Sequence, residues 1–71
     1  MVINKDNRSR IGEEVAKLRA KKGLTIRELG DMSGVSYQNI TKIEHGRYNV
    51  SIDILSKLVD SLGADIKVVE R

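Results

Sequence analysis

The 71-residue sequence predicts an all-α fold, one small domain over residues 1–71 with four short helices and a short β-strand at its C-terminal end. Three observations predict it. Glycines at 23, 34, 46 and 63 each close a stretch of helical apolar spacing, where a left-handed terminating residue belongs. The apolar residues are mostly Leu, Ile and Val, with no Phe, Trp or Pro, which suits aliphatic helix packing. The last residues, "ADIKVVER", leave helical spacing for alternation.

The first helix is expected over about 9–22, with Ile11, Val15 and Leu18 on one face. The second, about 25–33, opens on the capping box "TIRE", in which Thr25 and Glu28 satisfy each other's backbone amides, and turns Leu29 and Met32 inward. The third, about 36–45, takes Ser36 as N-cap and buries Ile40 and Ile43. The fourth, about 51–62, begins at Ser51 and buries Ile52, Leu55, Leu58, Val59 and Leu62. The strand, about 65–70, alternates Ile66 and Val68 with Asp65 and Lys67. A lone strand needs a partner for its backbone groups. The candidates are the N-terminal "VIN" and the same strand of a second copy.

A chain this short buries only roughly 60% of its unfolded surface, so it is marginal alone and gains from a partner subunit. Without cysteine there is no disulfide framework, thiolate zinc site or thiol nucleophile. The segment "MVINKDNRSR" lacks the apolar core of a signal peptide, and no apolar run approaches ~18 residues. A cytoplasmic location without a membrane partner is expected. The sequons at Asn39 and Asn49 are then chance matches. Residues 1–50 hold ten Lys/Arg and six Asp/Glu, a balance of +4, whereas residues 51–71 hold three and four, a balance of −1. The asymmetry suggests an anionic partner for the first two-thirds.

Enzymatic function fails for lack of parts. The sequence has no glycine-rich phosphate loop, carboxylate cluster, Ser/His/Asp set or metal motif, so neither catalysis, cofactor nor metal is expected. His45, the only histidine, stands near a helix C-terminus, where a partial cation is favourable.

Only "SGVS" separates the second and third helices, and two short helices joined by such a glycine-containing turn make a helix-turn-helix unit. Any small helical bundle is the plainer alternative. Gly30 favours the former. A mid-helix glycine costs ~1 kcal/mol relative to Ala, and a close helix crossing would explain it. The third helix also displays Tyr37, Gln38, Asn39, Thr41 and Lys42, more amides than a face built for solubility carries.

The stretch from Leu18 to Gly63 contains an LR pair, GLT, EL before a small residue, GVS, I-x-x-IE-x-G and a fourth helix ending in LG. With this frame, residues 8–63 resemble the DNA-binding domain of the phage-repressor class of helix-turn-helix regulators, the Cro/C1-type or XRE-like family. The resemblance implies a lambda-repressor-like domain whose third helix enters the major groove of double-stranded DNA. Three positions depart from the family pattern. Ile26 stands where Gln is usual after the second helix's cap, Val50 stands where the following loop usually has proline, and the strand replaces a fifth helix.

In that frame Gln38 matches a base-reading position, with Tyr37 and Lys42 on the same outward face. An amide can bond adenine N6 and N7 together, and a cation can reach guanine O6 and N7. Ser36 and Asn39 are placed for bases or for flanking phosphates, and Thr41 for the rim. Phosphate candidates are Thr25 with the amides opening the second helix, Arg27, and the loop residues Arg47, Tyr48 and Asn49, with Gly46 letting the loop backbone approach the DNA. Each cation is otherwise an ordinary surface charge. Ile26 either packs on Tyr37, the pair meeting thymine methyl groups, or serves helix packing alone. Arg19 and Glu44 match a partly buried ion pair between the first and third helices.

The leading expectation is a sequence-specific regulator, a repressor reading an inverted repeat as a homodimer joined through the strand residues Ile66 and Val68. Family members with such a strand imply a runner-up, an antitoxin that represses its own operon and binds a toxin protein. A protein-interaction module without DNA contact is the third reading.

Overall fold

The computed structural model of the protein describes residues 6–70. It contains four α-helices, α1 (Asn7–Lys21), α2 (Ile26–Ser33), α3 (Tyr37–Glu44) and α4 (Ile52–Ser61). Every start is set by a side-chain cap. Asp6, Thr25, Ser36 and Ser51 each accept a hydrogen bond from the N–H three residues on. At Thr25 the capping box is complete, because the Thr25 N–H donates to the Glu28 carboxylate at 2.9 Å. Helix α1 therefore begins two residues before the expected Ser9. Asp6 takes the Ser9 N–H at 2.9 Å and is the stronger capping group.

The helix ends are equally local. α1, α3 and α4 close with paired bonds of the Schellman type, such as Leu24 N–H to Arg19 O at 3.1 Å and Gly23 N–H to Ala20 O at 2.9 Å. α2 ends on the single bond from Gly34 N–H to Gly30 O at 2.9 Å, with Gly34 at φ 76°. That left-handed residue is what lets α3 start only three residues after α2 ends.

Helix α3 packs against α1 and α2, and α4 packs against α2. Their buried faces meet in one aliphatic core of Val15, Leu29, Val35, Ile40, Ile43, Leu55, Leu58, Val59 and Leu62. No helix among the described residues is long and apolar enough to cross a membrane.

Three expectations are corrected. Residues 65–70 form no strand. Among the described residues no strand pairs with their N–H and C=O groups, and the alternation gives no buried face. Ile66 is 46% exposed, Val68 101% and Val69 78%. The other pairing candidate, "VIN", lies outside the described residues. Met32 is 55% exposed rather than inward, because the inner stripe of α2 runs through Ile26, Leu29 and Ser33 and Met32 falls off it. Ile52 is 68% exposed, standing in the first turn of α4 at the edge of the stripe made by Leu55, Leu58, Val59 and Leu62.

Candidate nucleic-acid interface

The geometry of α3 follows from its two buried residues. At about 100° per residue, Ile40 and Ile43 facing the core put Gln38 on the opposite side, with Thr41 and Lys42 beside it. Tyr37 and Asn39 fall on the two flanks. Gln38 and Lys42 are exposed, Asn39 and Thr41 half-buried, and Tyr37 is 39% exposed. The Ser36 hydroxyl accepts the Asn39 N–H at 3.3 Å, which leaves its own proton to donate outward. The Thr41 hydroxyl is committed, donating to the Tyr37 carbonyl at 2.9 Å. His45 Nδ1 lies 2.7 Å from the Thr41 carbonyl, so its protonated nitrogen donates back into the helix end.

Three contacts hold this helix in place. The Arg19 guanidinium grips Glu44 with both arms, Nε to Oε2 at 2.7 Å and NH2 to Oε1 at 2.9 Å, while NH1 donates to the Leu24 carbonyl at 2.8 Å. The hydrogen bonds to Glu44 raise the Arg19 guanidinium above its ordinary value, so the guanidinium stays charged. Gly12 is the second contact. A Cβ there would collide with the Ile43 carbonyl oxygen and stand 3.0 Å from that of Glu44, so α1 and α3 touch backbone to backbone. The third is Gly46 against Ser9, where a Cβ would lie 2.7 Å from the Ser9 hydroxyl. The side of Gly46 on which a Cβ would stand therefore faces Ser9 of α1.

Helix α2 borders the face on the Tyr37 side. At Gly30 a Cβ would lie 3.0 Å from the Val35 carbonyl and 3.7 Å from the Tyr37 Cβ, the close approach expected of that glycine. Val35 is only 7% exposed and pins the turn to the core. Ile26 is half-buried on the core, and Arg27 lies over the Tyr37 ring, its guanidinium carbon 4.4 Å from the centroid. At the start of α2 the Thr25 N–H is occupied by Glu28, leaving the Ile26 and Arg27 amides as the ones without an intrahelical acceptor. On the other border, Arg47 and Asn49 are exposed, while Tyr48 is half-buried on the core.

The helix-turn-helix family model matches residues 15–69. The chain belongs to the XRE/Cro-C1-type helix-turn-helix family of DNA-binding transcriptional regulators. A relative from Sinorhizobium fredii, named as an uncharacterized HTH-type transcriptional regulator, y4dJ, is 40% identical over 58 residues, 82% of this chain and 75% of its own. The crystal structure of the clp gene regulator ClgR from C. glutamicum superposes with a TM-score of 0.85 at 33% identity, covering 93% of this chain and 85% of that one. That of the restriction-modification controller protein C.AhdI from Aeromonas hydrophila gives 0.80 at 29% identity, covering 83% and 89%.

Two features of this helix-turn-helix unit were not read from the sequence. Gly12 carries the α1–α3 crossing, and its only signal was a glycine inside the apolar spacing of the first helix. The placement of Arg27 over Tyr37 had no signal, since the two lie ten positions apart and their meeting depends on the angle between α2 and α3.

Proposed function

We propose that this helix-turn-helix regulator is a sequence-specific repressor that lays α3 in the major groove and binds an inverted-repeat operator as a dimer. The observation that carries the reading is the face of α3. Gln38 and Lys42 stand exposed side by side, opposite the two isoleucines that fix the helix. Gln38 is suited to adenine N6 and N7, and Lys42 to guanine O6 and N7. Ser36 and Asn39 lie beside them for a base edge or a neighbouring phosphate. The Ile26 and Arg27 amides, the Thr25 hydroxyl, Arg47, Tyr48 and Asn49 border the face where the two sugar-phosphate strands of the groove would pass, and their role is to fix register.

The test is selection of duplexes from a random pool by the full chain at near-physiological salt, followed by sequencing. The reading expects one enriched inverted repeat with half-sites about one helical turn apart, and loss of preference at one position in Gln38→Ala. Binding without enrichment that vanishes as salt rises would mean charge attraction alone and would overturn it.

A further inference from the structure

The Arg27 guanidinium carbon lies over the Tyr37 ring, 4.4 Å from its centroid. That is well inside the ~6 Å over which a cation is drawn to an aromatic face. Tyr37 needs such a neighbour. It is the first residue of α3, on the flank of the outward face, and Gly30 of α2, close to its backbone and Cβ, offers no side chain. The ring borders a shallow depression shared with Arg27, Asp31 and Ser36. Arg27 covers one face of the ring beside that depression.

We propose that Arg27 is a positioning residue, and that the stacked Arg27–Tyr37 pair reads one base pair, the held edge of the Tyr37 ring packing on the C5-methyl group of a thymine. The inference rests on the duplex-reading function above and gives Arg27 a role beyond phosphate contact. A cation over the ring engages its π face and leaves the ring edge available. A thymine methyl is the one apolar group on the major-groove edges of the bases, and an aromatic edge is suited to it. Because Arg27 acts through Tyr37, losing either residue removes the same discrimination.

The experiment replaces thymine by uracil, position by position, in the selected operator half-site and measures affinity by titration. The wild-type chain is expected to lose roughly fourfold at one position, the effect of one methyl group's burial. Arg27→Ala and Tyr37→Ala are expected to bind the thymine and uracil duplexes equally, whereas Tyr37→Phe, which keeps the ring, retains the discrimination. Arg27→Lys keeps the charge but not the planar stack, and is expected to fail to restore it. A uniform loss in Arg27→Ala on both duplexes, with the thymine preference intact and a salt slope shallower by about one, would make Arg27 a phosphate anchor and overturn the proposal. So would a wild-type chain indifferent to uracil at every position. A random pool yielding no site at all would sink the duplex-reading function itself, an outcome separate from these two.

Discussion

Glu44 is held at both carboxylate oxygens by one guanidinium, and only 6% of its side chain is exposed, against 21% for Arg19. Removing a partner from a buried pair costs ~3–5 kcal/mol, because the other charge is left without its counterion. Arg19 keeps the Leu24 carbonyl and some water, so Glu44→Ala belongs at the lower end, ~3 kcal/mol. At 4–8 °C per kcal/mol for a domain of this size, the melting temperature should fall by roughly 12–24 °C. Thermal unfolding followed by circular dichroism checks it, and an unchanged midpoint would refute a structural role. A second ion pair, Lys17 with Glu14 at 3.6 Å, is 72% and 69% exposed, and its loss should leave the midpoint within error. Glu28 supplies a pH dependence. The Thr25 backbone N–H, and then its hydroxyl, hold the Glu28 carboxyl below its ordinary 4.5. A depressed folded value stabilises the native state above 4.5 and ceases to do so as pH falls below it, when Glu28 protonates. The melting temperature should therefore decline on acidification through that range, and Glu28→Gln should flatten part of the decline. A variant as steep as wild type would show that the capping carboxylate is not involved.

Two glycines within helices make different predictions from one propensity. In an open helix, Gly→Ala gains ~1 kcal/mol. At Gly12 the new methyl would meet the carbonyls of Ile43 and Glu44, backbone atoms that cannot move without shifting α3. Gly12→Ala should be net destabilising by ~1–3 kcal/mol, the usual range for forcing an extra carbon into a packed contact. At Gly30 the tightest approach is 3.0 Å to the Val35 carbonyl, so a small shift there competes with the propensity gain and Gly30→Ala should lie near neutral. Denaturant melts of both variants check the contrast, and equal midpoints would refute it. The same comparison shows what the sequence made legible. Thr25, Ser36 and Ser51 act within three residues of themselves, so all three caps, and the helices they open, were readable. The inward Ile40 and Ile43 were readable from spacing, and with them the outward face of α3. The crossing at Gly12 was not, because its partner lies more than thirty positions away and nothing local distinguishes a contact glycine from a tolerated one. The C-terminal alternation misled for the same reason. A strand is stabilised by a neighbour, and Ile66 and Val68 carry no local sign of whether one is there.

At the scale of the whole molecule, one copy is too small to choose a site. The eight residues of α3 extend about 12 Å, and at ~3.4 Å per base pair they span about four. A word that short recurs throughout any genome, and the surplus of +4 over residues 1–50 attracts all DNA alike. The proposed dimer answers this with two copies whose α3 helices would lie ~34–36 Å apart on one face of the duplex. The body measures 39 × 23 × 22 Å, so two copies set side by side across the shorter dimensions fit that spacing without overlapping. An operator with both half-sites should bind at least ~10²-fold more tightly than a duplex with one, because the second contact becomes intramolecular. Inserting about five base pairs between the half-sites should abolish the advantage, since half a helical turn carries the second half-site to the opposite face. Titration of the three duplexes at one salt concentration decides between the alternatives. Equal affinity for all three would mean that each copy binds alone, and that discrimination comes from the face of α3 without help from a second chain.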